Sequence, residues 1–149
     1  MPRVLLIRRC ASTAQHPEAP LTEAGMAAAD GLATQLQPLR IDAVYSSPYV
    51  RAIATIAPFA DRLEFAIREE GRLCERLLAK EPLAGFPDHI RRSFDDLDYR
   101  VEGGESLREV GDRGLAALSE SFGYEDWKTL KNPDLFTLEF ADGKLVSYE

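Results

Sequence analysis

Histidine and cysteine are both scarce in this chain of 149 residues, with two of each: His16 and His89, Cys10 and Cys74. Two cysteines are too few for a disulfide framework. Two histidines, set apart from the cysteines and acids without ligand spacing, give no metal cluster, and no cofactor is expected. Long apolar runs are missing as well. The stretch "MPRVLLIRR" is too short for a signal peptide or a membrane span, so the expectation is a cytoplasmic protein with no membrane partner. Basic residues are in the minority, 18 against 25 acids, for a net charge of −7. Over most of the surface such a balance repels a phosphate backbone, which excludes non-specific nucleic-acid binding. Any anion site must be a local positive pocket.

What is present fits an ordinary soluble globular protein: 45% hydrophobic and 29% charged residues, with no internal repeat and no linker rich enough to divide the chain. The length predicts one domain over residues 1–149. Val4 to Arg8 reads as a strand covered on both faces. Pro20 to Leu36 predicts an Ala-rich helix with Thr22 as its N-cap. Ile41 to Ser47 predicts a second strand, and Pro48 starts a helix carrying "YVRAIATIAPFADRL". Glu64 to Glu70 predicts a third strand, and "GFPDHIRRSFDDL" is helical from Pro87. "SLREVGDRGLAALSE" predicts a helix with Leu107, Val110, Leu115 and Leu118 on one face and Ser106 near its start. In the tail, apolar and polar residues alternate on either side of Asp142-Gly143, which signals a hairpin. Strand and helix alternate over the first half, so the fold class is α/β with a mostly parallel sheet, helices on both faces and a C-terminal hairpin.

In open α/β sheets ligands sit beyond the carboxyl ends of the strands. Arg8 to Ser12 follow strand one there, and Ser46 to Arg51 follow strand two. Arg51 lies one turn into the second helix. Arg8 and Arg51 could thus clamp a phosphate from two sides, because guanidinium forks match its oxygens bidentately. The alternative is that both are ordinary surface arginines. Arg91 and Arg92 either add to the pocket or solvate a helix face, and the helix face is the favoured reading.

The segments "LIRRCAST", "PLTEAG", "VYSSPYVRA", "RLCER" and "GGES", in this order and spacing, together resemble the histidine phosphatase superfamily, the phosphoglycerate-mutase-like fold. The resemblance runs from Val4 to about Leu118 and resumes in "FGYEDWKTLKNPDLFTLEF". It implies a three-layer α/β domain and a phosphate or phosphorylated small molecule as ligand. It also assigns roles. Arg8 corresponds to the phosphate-binding arginine of the family's Arg-His-Gly or Arg-His-Ala step, Ser12 or Thr13 to its hydroxyl residue, and Arg51 to its second clamp arginine. Glu75 corresponds to the proton donor. Cys10, Thr13, Glu105 and Ser106 would line the pocket, with the loop Gly103 to Ser106 along its border. Groups beyond the phosphate would be read by a variable loop, here Leu77 to Arg92.

Two departures cut against catalysis. The family's nucleophile is the histidine of the first step, and Arg9 stands in its place. An imidazole with a free lone pair can attack phosphorus; a guanidinium has donors only and stays protonated. The family's second histidine follows another buried strand, yet here "LAALSE" passes directly into "SFGYEDW", so one strand–helix unit is missing. Neither His16 nor His89 matches a family catalytic position. Loss of a strand leaves unpaired backbone to be covered, either by a shift of the C-terminal hairpin or by a second chain, and self-association is expected. The function expected is a catalytically impaired pseudo-phosphatase retaining an anion pocket. One alternative is an active phosphomonoesterase with a non-standard nucleophile such as Cys10, whose thiolate the neighbouring arginines would favour. Another is an interaction module with a vestigial pocket.

Overall fold

The computed structural model describes residues 3–111, 124–142 and 144–148. Two compact units are present: 1–74 with 131–149, and 75–130.

Among its described residues the first unit holds five strands and two α-helices, β1 (Arg3–Arg8), α1 (Glu23–Leu36), β2 (Val44–Ser46), α2 (Val50–Arg62), β3 (Ile67–Glu69), β4 (Asp134–Ala141) and β5 (Lys144–Tyr148), with a 3-10 turn at Gly71–Leu73. Helix α1 begins as its sequence predicts: the Thr22 hydroxyl accepts the Gly25 N–H at 3.0 Å and closes one of the open donors of the first turn. Helix α2 starts two residues after Pro48, with Tyr49 as N-cap and no side-chain cap. Strands β2 and β3 are shorter than the apolar runs that contain them. Ile41 and Phe65, outside the ladders, pack instead against the core.

That core joins Leu32, Ala33 and Leu36 of α1 to Ile56 and Phe59 of α2 and Val44 of β2, with Leu5, Ile7 and Leu135 of the sheet packed against it. The Phe59 and Phe65 rings stack with centroids 6.0 Å apart. A second cluster, Cys10, Leu21 and Ala29, lies at the loop after β1.

The α/β class stands, but the strand pairing corrects the expected mostly parallel sheet. The larger sheet has the order β1-β4-β5 and is antiparallel throughout. Among the described residues the parallel pairing is β2 with β3. The reason is non-local: β4 lies beside β1 along all six of its residues, from Arg3↔Glu139 to Arg8↔Asp134. The neighbour of β1 is therefore one arm of the C-terminal hairpin rather than a strand reached by a helical crossover. The hairpin itself forms where Asp142-Gly143 places it, and Asp142 adopts the positive φ of 51° that such turns demand. The expectation of helices on both faces also needs refinement. In this unit α1 and α2 both join the core on the Leu5, Ile7 and Leu135 side of the sheet.

The second unit contains α3 (Phe86–Asp95), α4 (Leu107–Val110) and α5 (Tyr124–Thr129). Helix α3 carries Pro87 in its first turn, where a missing N–H costs nothing. Helix α4 opens with a capping box: Ser106 Oγ accepts the Glu109 N–H at 3.1 Å, and the Glu109 carboxylate accepts the Ser106 N–H at 2.7 Å. The predicted continuation of this helix through Leu115 and Leu118 to Ser119 lies outside the described residues.

Candidate functional site

Arg8 ends β1, and its guanidinium donates to the Lys131 carbonyl at 3.1 Å. With its amide turned to donate, Asn132 reaches the carbonyls of Lys131 (3.2 Å) and Arg9 (3.3 Å). The turn ahead of β4 is thereby fastened to the end of β1. Nothing in the sequence around Asn132 signals this role.

Arg9 is half-buried. Its guanidinium donates to the Cys10 carbonyl at 3.2 Å and to Gln15 Oε1 at 3.0 Å. At Cys10 the chain turns inward. The side chain is fully buried, and its backbone N–H donates to Thr55 Oγ1 at 2.9 Å. Burial pushes the Cys10 thiol above its ordinary range, outweighing the opposing effects of the Thr55 hydrogen bond and the Arg9 charge. The resulting thiol is a small packed residue and a poor nucleophile at neutral pH.

The two hydroxyls assigned to phosphate turn back into their own loop. Ser12 Oγ donates to the Ala14 carbonyl at 2.9 Å, and Thr13 Oγ1 to the Pro20 carbonyl at 3.3 Å. Arg51 is 2% exposed. It donates to the His16 carbonyl at 2.7 Å and lies 4.7 Å over the Tyr49 ring. The two clamp arginines thus each donate to a backbone carbonyl. One link does bring the predicted pieces together. Thr55 stands one turn after Arg51, donates to the Arg51 carbonyl at 2.8 Å, and accepts from Cys10. The spacing of Arg51 and Thr55 was the available signal, since positions four apart share a helix face.

In the other unit, Glu75 is exposed. In the first unit, Glu70 accepts the Arg72 guanidinium at 2.7 Å and the Arg72 N–H at 3.0 Å, and these two contacts hold its carboxyl at about 2. Glu105 and Ser106 have scaffold roles. The Glu105 N–H donates to the Leu77 carbonyl at 2.7 Å, its carboxylate accepts the Leu77 N–H at 2.9 Å, and its carbonyl accepts from Arg76 at 2.8 Å. Gly104 is needed for this close approach, since a Cβ there would lie 2.0 Å from the Leu78 carbonyl oxygen. His89 Nδ1 is hydrogen-bonded to the Tyr99 hydroxyl at 2.6 Å, Arg92 lies 4.4 Å over the Tyr99 ring, and Arg91 pairs with Asp88 at 3.5 Å. Arg91 and Arg92 occupy an exposed helix face.

Among the described residues there is no group of three or more His, Cys, Asp or Glu side chains that could hold a metal ion. None of the described helices is long and apolar enough to cross a membrane. A surface depression of about 280 Å³, lined by Arg3, Thr137, Glu139 and Ser147, opens at the opposite end of β1 from Arg8.

An arginine ends the first strand, a second stands in the first turn of α2, and a loop with two hydroxyl residues follows the first. The chain belongs to the histidine phosphatase superfamily (branch 1), whose family model matches residues 8–128. It is similar to phosphoserine phosphatase 1 of Hydrogenobacter thermophilus, 31% identical over an alignment of 109 positions that covers 67% of this chain and 51% of that protein. The chain thus matches about half the length of this curated relative. Its fold is similar to that of a native mycobacterial glucosyl-3-phosphoglycerate phosphatase, with a TM-score of 0.73 and 16% identity over 99% of this chain and 95% of that one. The alpha-ribazole phosphatase of Shigella flexneri gives a TM-score of 0.71 and 18% identity over 97% and 93% of the two chains.

Proposed function

We propose that this chain is a catalytically impaired member of the family: a phosphatase scaffold that holds phosphate or a phosphorylated small molecule at the Arg8–Thr13 loop without turning it over. One observation carries the reading. Residue 9, the position assigned to the nucleophilic histidine, is an arginine whose guanidinium is engaged with Cys10 and Gln15. Such a group attracts phosphate but has no lone pair with which to form a phosphoenzyme. The relatives' names, phosphoserine phosphatase and glucosyl-3-phosphoglycerate phosphatase, suggest small phosphomonoesters as the ligand class. Cytoplasmic residence, a single functional domain and self-association belong to the same reading, and a monomer in light scattering at micromolar concentration would reject the last of these.

The test is turnover of p-nitrophenyl phosphate at several pH values by the wild type, Arg8→Ala and Cys10→Ser. We expect no turnover by any of them, together with a rise in melting temperature of the wild type in phosphate, because a ligand of the native state stabilises by mass action. Activity abolished by Cys10→Ser would overturn the reading in favour of thiol catalysis. A second reading, an interaction module with a vestigial pocket, is favoured by the burial of Arg51 against the His16 carbonyl. Absence of any phosphate-induced shift would select it.

A further inference from the structure

The loop between β1 and α1 does more than connect them. Its base is pinned: the Thr13 N–H donates to the Pro20 carbonyl at 3.0 Å, Ser12 and Leu21 form an antiparallel bridge, and the Thr22 N–H donates to the Ala11 carbonyl at 2.9 Å. Its tip, Gln15 to Glu18, is exposed. Three consecutive residues of that tip present oxygens to two guanidinium groups and a backbone amide. Gln15 Oε1 accepts from Arg9 at 3.0 Å, the His16 carbonyl from Arg51 at 2.7 Å, and the Pro17 carbonyl from the Val50 N–H, the first amide of α2, at 3.0 Å. Two guanidinium groups and a helix N-terminal amide are the donor set that suits a phosphate dianion. Here neutral oxygens of the chain itself fill it.

Resting on the pocket reading above, we propose that residues 14–18 form an autoinhibitory strap, an internal mimic of the anion that must lift before phosphate can reach Arg51. Charge favours the exchange, since a phosphate brings the guanidinium groups an opposite charge and two oxygens for bidentate pairing, which a neutral carbonyl lacks. Geometry supplies the hinges. The paired base at Ser12–Thr13 and Pro20–Leu21 stays in place while the tip swings out, and the Ala19 N–H releases the His16 carbonyl it now holds at 3.1 Å. Arg9, in the place of a nucleophile, acts as a latch through Gln15.

The experiment is calorimetric titration of the full chain with inorganic phosphate, in the wild type, in Gln15→Ala, and in a variant with residues 15–18 replaced by two glycines. If the strap is closed about nine-tenths of the time, removing it tightens the apparent Kd about tenfold, and releasing the latch alone gives part of that gain. Hydrogen exchange is the second readout and needs no variant: phosphate should speed exchange at the Ala19 amide of the wild type. Equal affinities in all three proteins with unchanged Ala19 exchange would overturn the strap and leave the pocket standing. No binding by the folded strap-free variant would overturn both. Should that variant fail to fold, Gln15→Ala and the Ala19 exchange decide the matter.

Discussion

Cys10 and Arg51 are joined through a single hydroxyl: Thr55 Oγ1 accepts the Cys10 N–H at 2.9 Å and donates to the Arg51 carbonyl at 2.8 Å. This bond couples the loop after the first strand to the first turn of α2 and fixes the spacing between the two halves of the candidate site. Thr55→Val would leave the Cys10 N–H buried without a partner, a loss of about 1–3 kcal/mol. Urea denaturation should show it, while Thr55→Ser retains most of the stability. A valine variant as stable as the wild type would show that the coupling contributes nothing.

Burial of the Cys10 thiol sets its chemistry. Iodoacetamide at neutral pH should label Cys74, which is half-buried, well before Cys10, and Cys10 should react fully only after unfolding. The folded thiol titrates above its unfolded value, so its contribution to stability is complete below the unfolded pKa of about 9. That contribution is lost as the pH rises through the folded pKa. Mass spectrometry of labelled peptides measures the first effect, and denaturation on the alkaline side measures the second.

Glu70 makes the opposite prediction on the acid side. Its side-chain and backbone contacts with Arg72 hold its carboxyl at about 2, below the ordinary 4.5. The associated stability is present above about 4.5 and disappears as the pH falls through 2. Carboxyl-carbon NMR titration should place Glu70 apart from the other glutamates, and Glu70→Gln should remove that contribution and loosen the turn at Gly71–Leu73. A midpoint in the ordinary glutamate range would contradict the geometry.

Two glycines permit close backbone approach. A Cβ on Gly25 would stand 2.1 Å from the Ala11 carbonyl oxygen, and one on Gly104 would stand 2.0 Å from that of Leu78. Backbone cannot rotate away as a flexible side chain can, so Gly25→Ala and Gly104→Ala should each lose on the order of 1–3 kcal/mol, the cost of overpacking. Gly31→Ala, with nothing within 4 Å of its added methyl, should be neutral or stabilising in the same thermal melt.

Local features were legible in the sequence because their cause is local. Thr22 caps its helix three residues ahead of Gly25, and Asp142 takes the positive φ of the hairpin turn, each through chemistry within a few residues. Ser106 and Glu109 carry the spacing of a capping box, yet the resemblance drew attention to the Gly103–Ser106 loop as a pocket border instead. What could not be read was long-range or carried by the backbone. Hydrophobic pattern marks β1 as a strand without naming β4 as its neighbour. Arg51 was identifiable as a phosphate-binding candidate, but its partner is the His16 carbonyl, and a main-chain oxygen leaves no trace in residue identity.

The pairing of the first strand with the fourth has a consequence for how the molecule is made. Arg3 meets Glu139, 136 positions later. During synthesis at the ribosome, Val4 to Ile7 emerge long before Asp134 to Ala141, the segment beside which they pair. Non-local pairings of this kind close slowly, and an unpaired apolar strand is open to association in the meantime. Until β4 has been made, β1 therefore stands with that pairing edge unclaimed, a stage at which a chaperone would find its natural target.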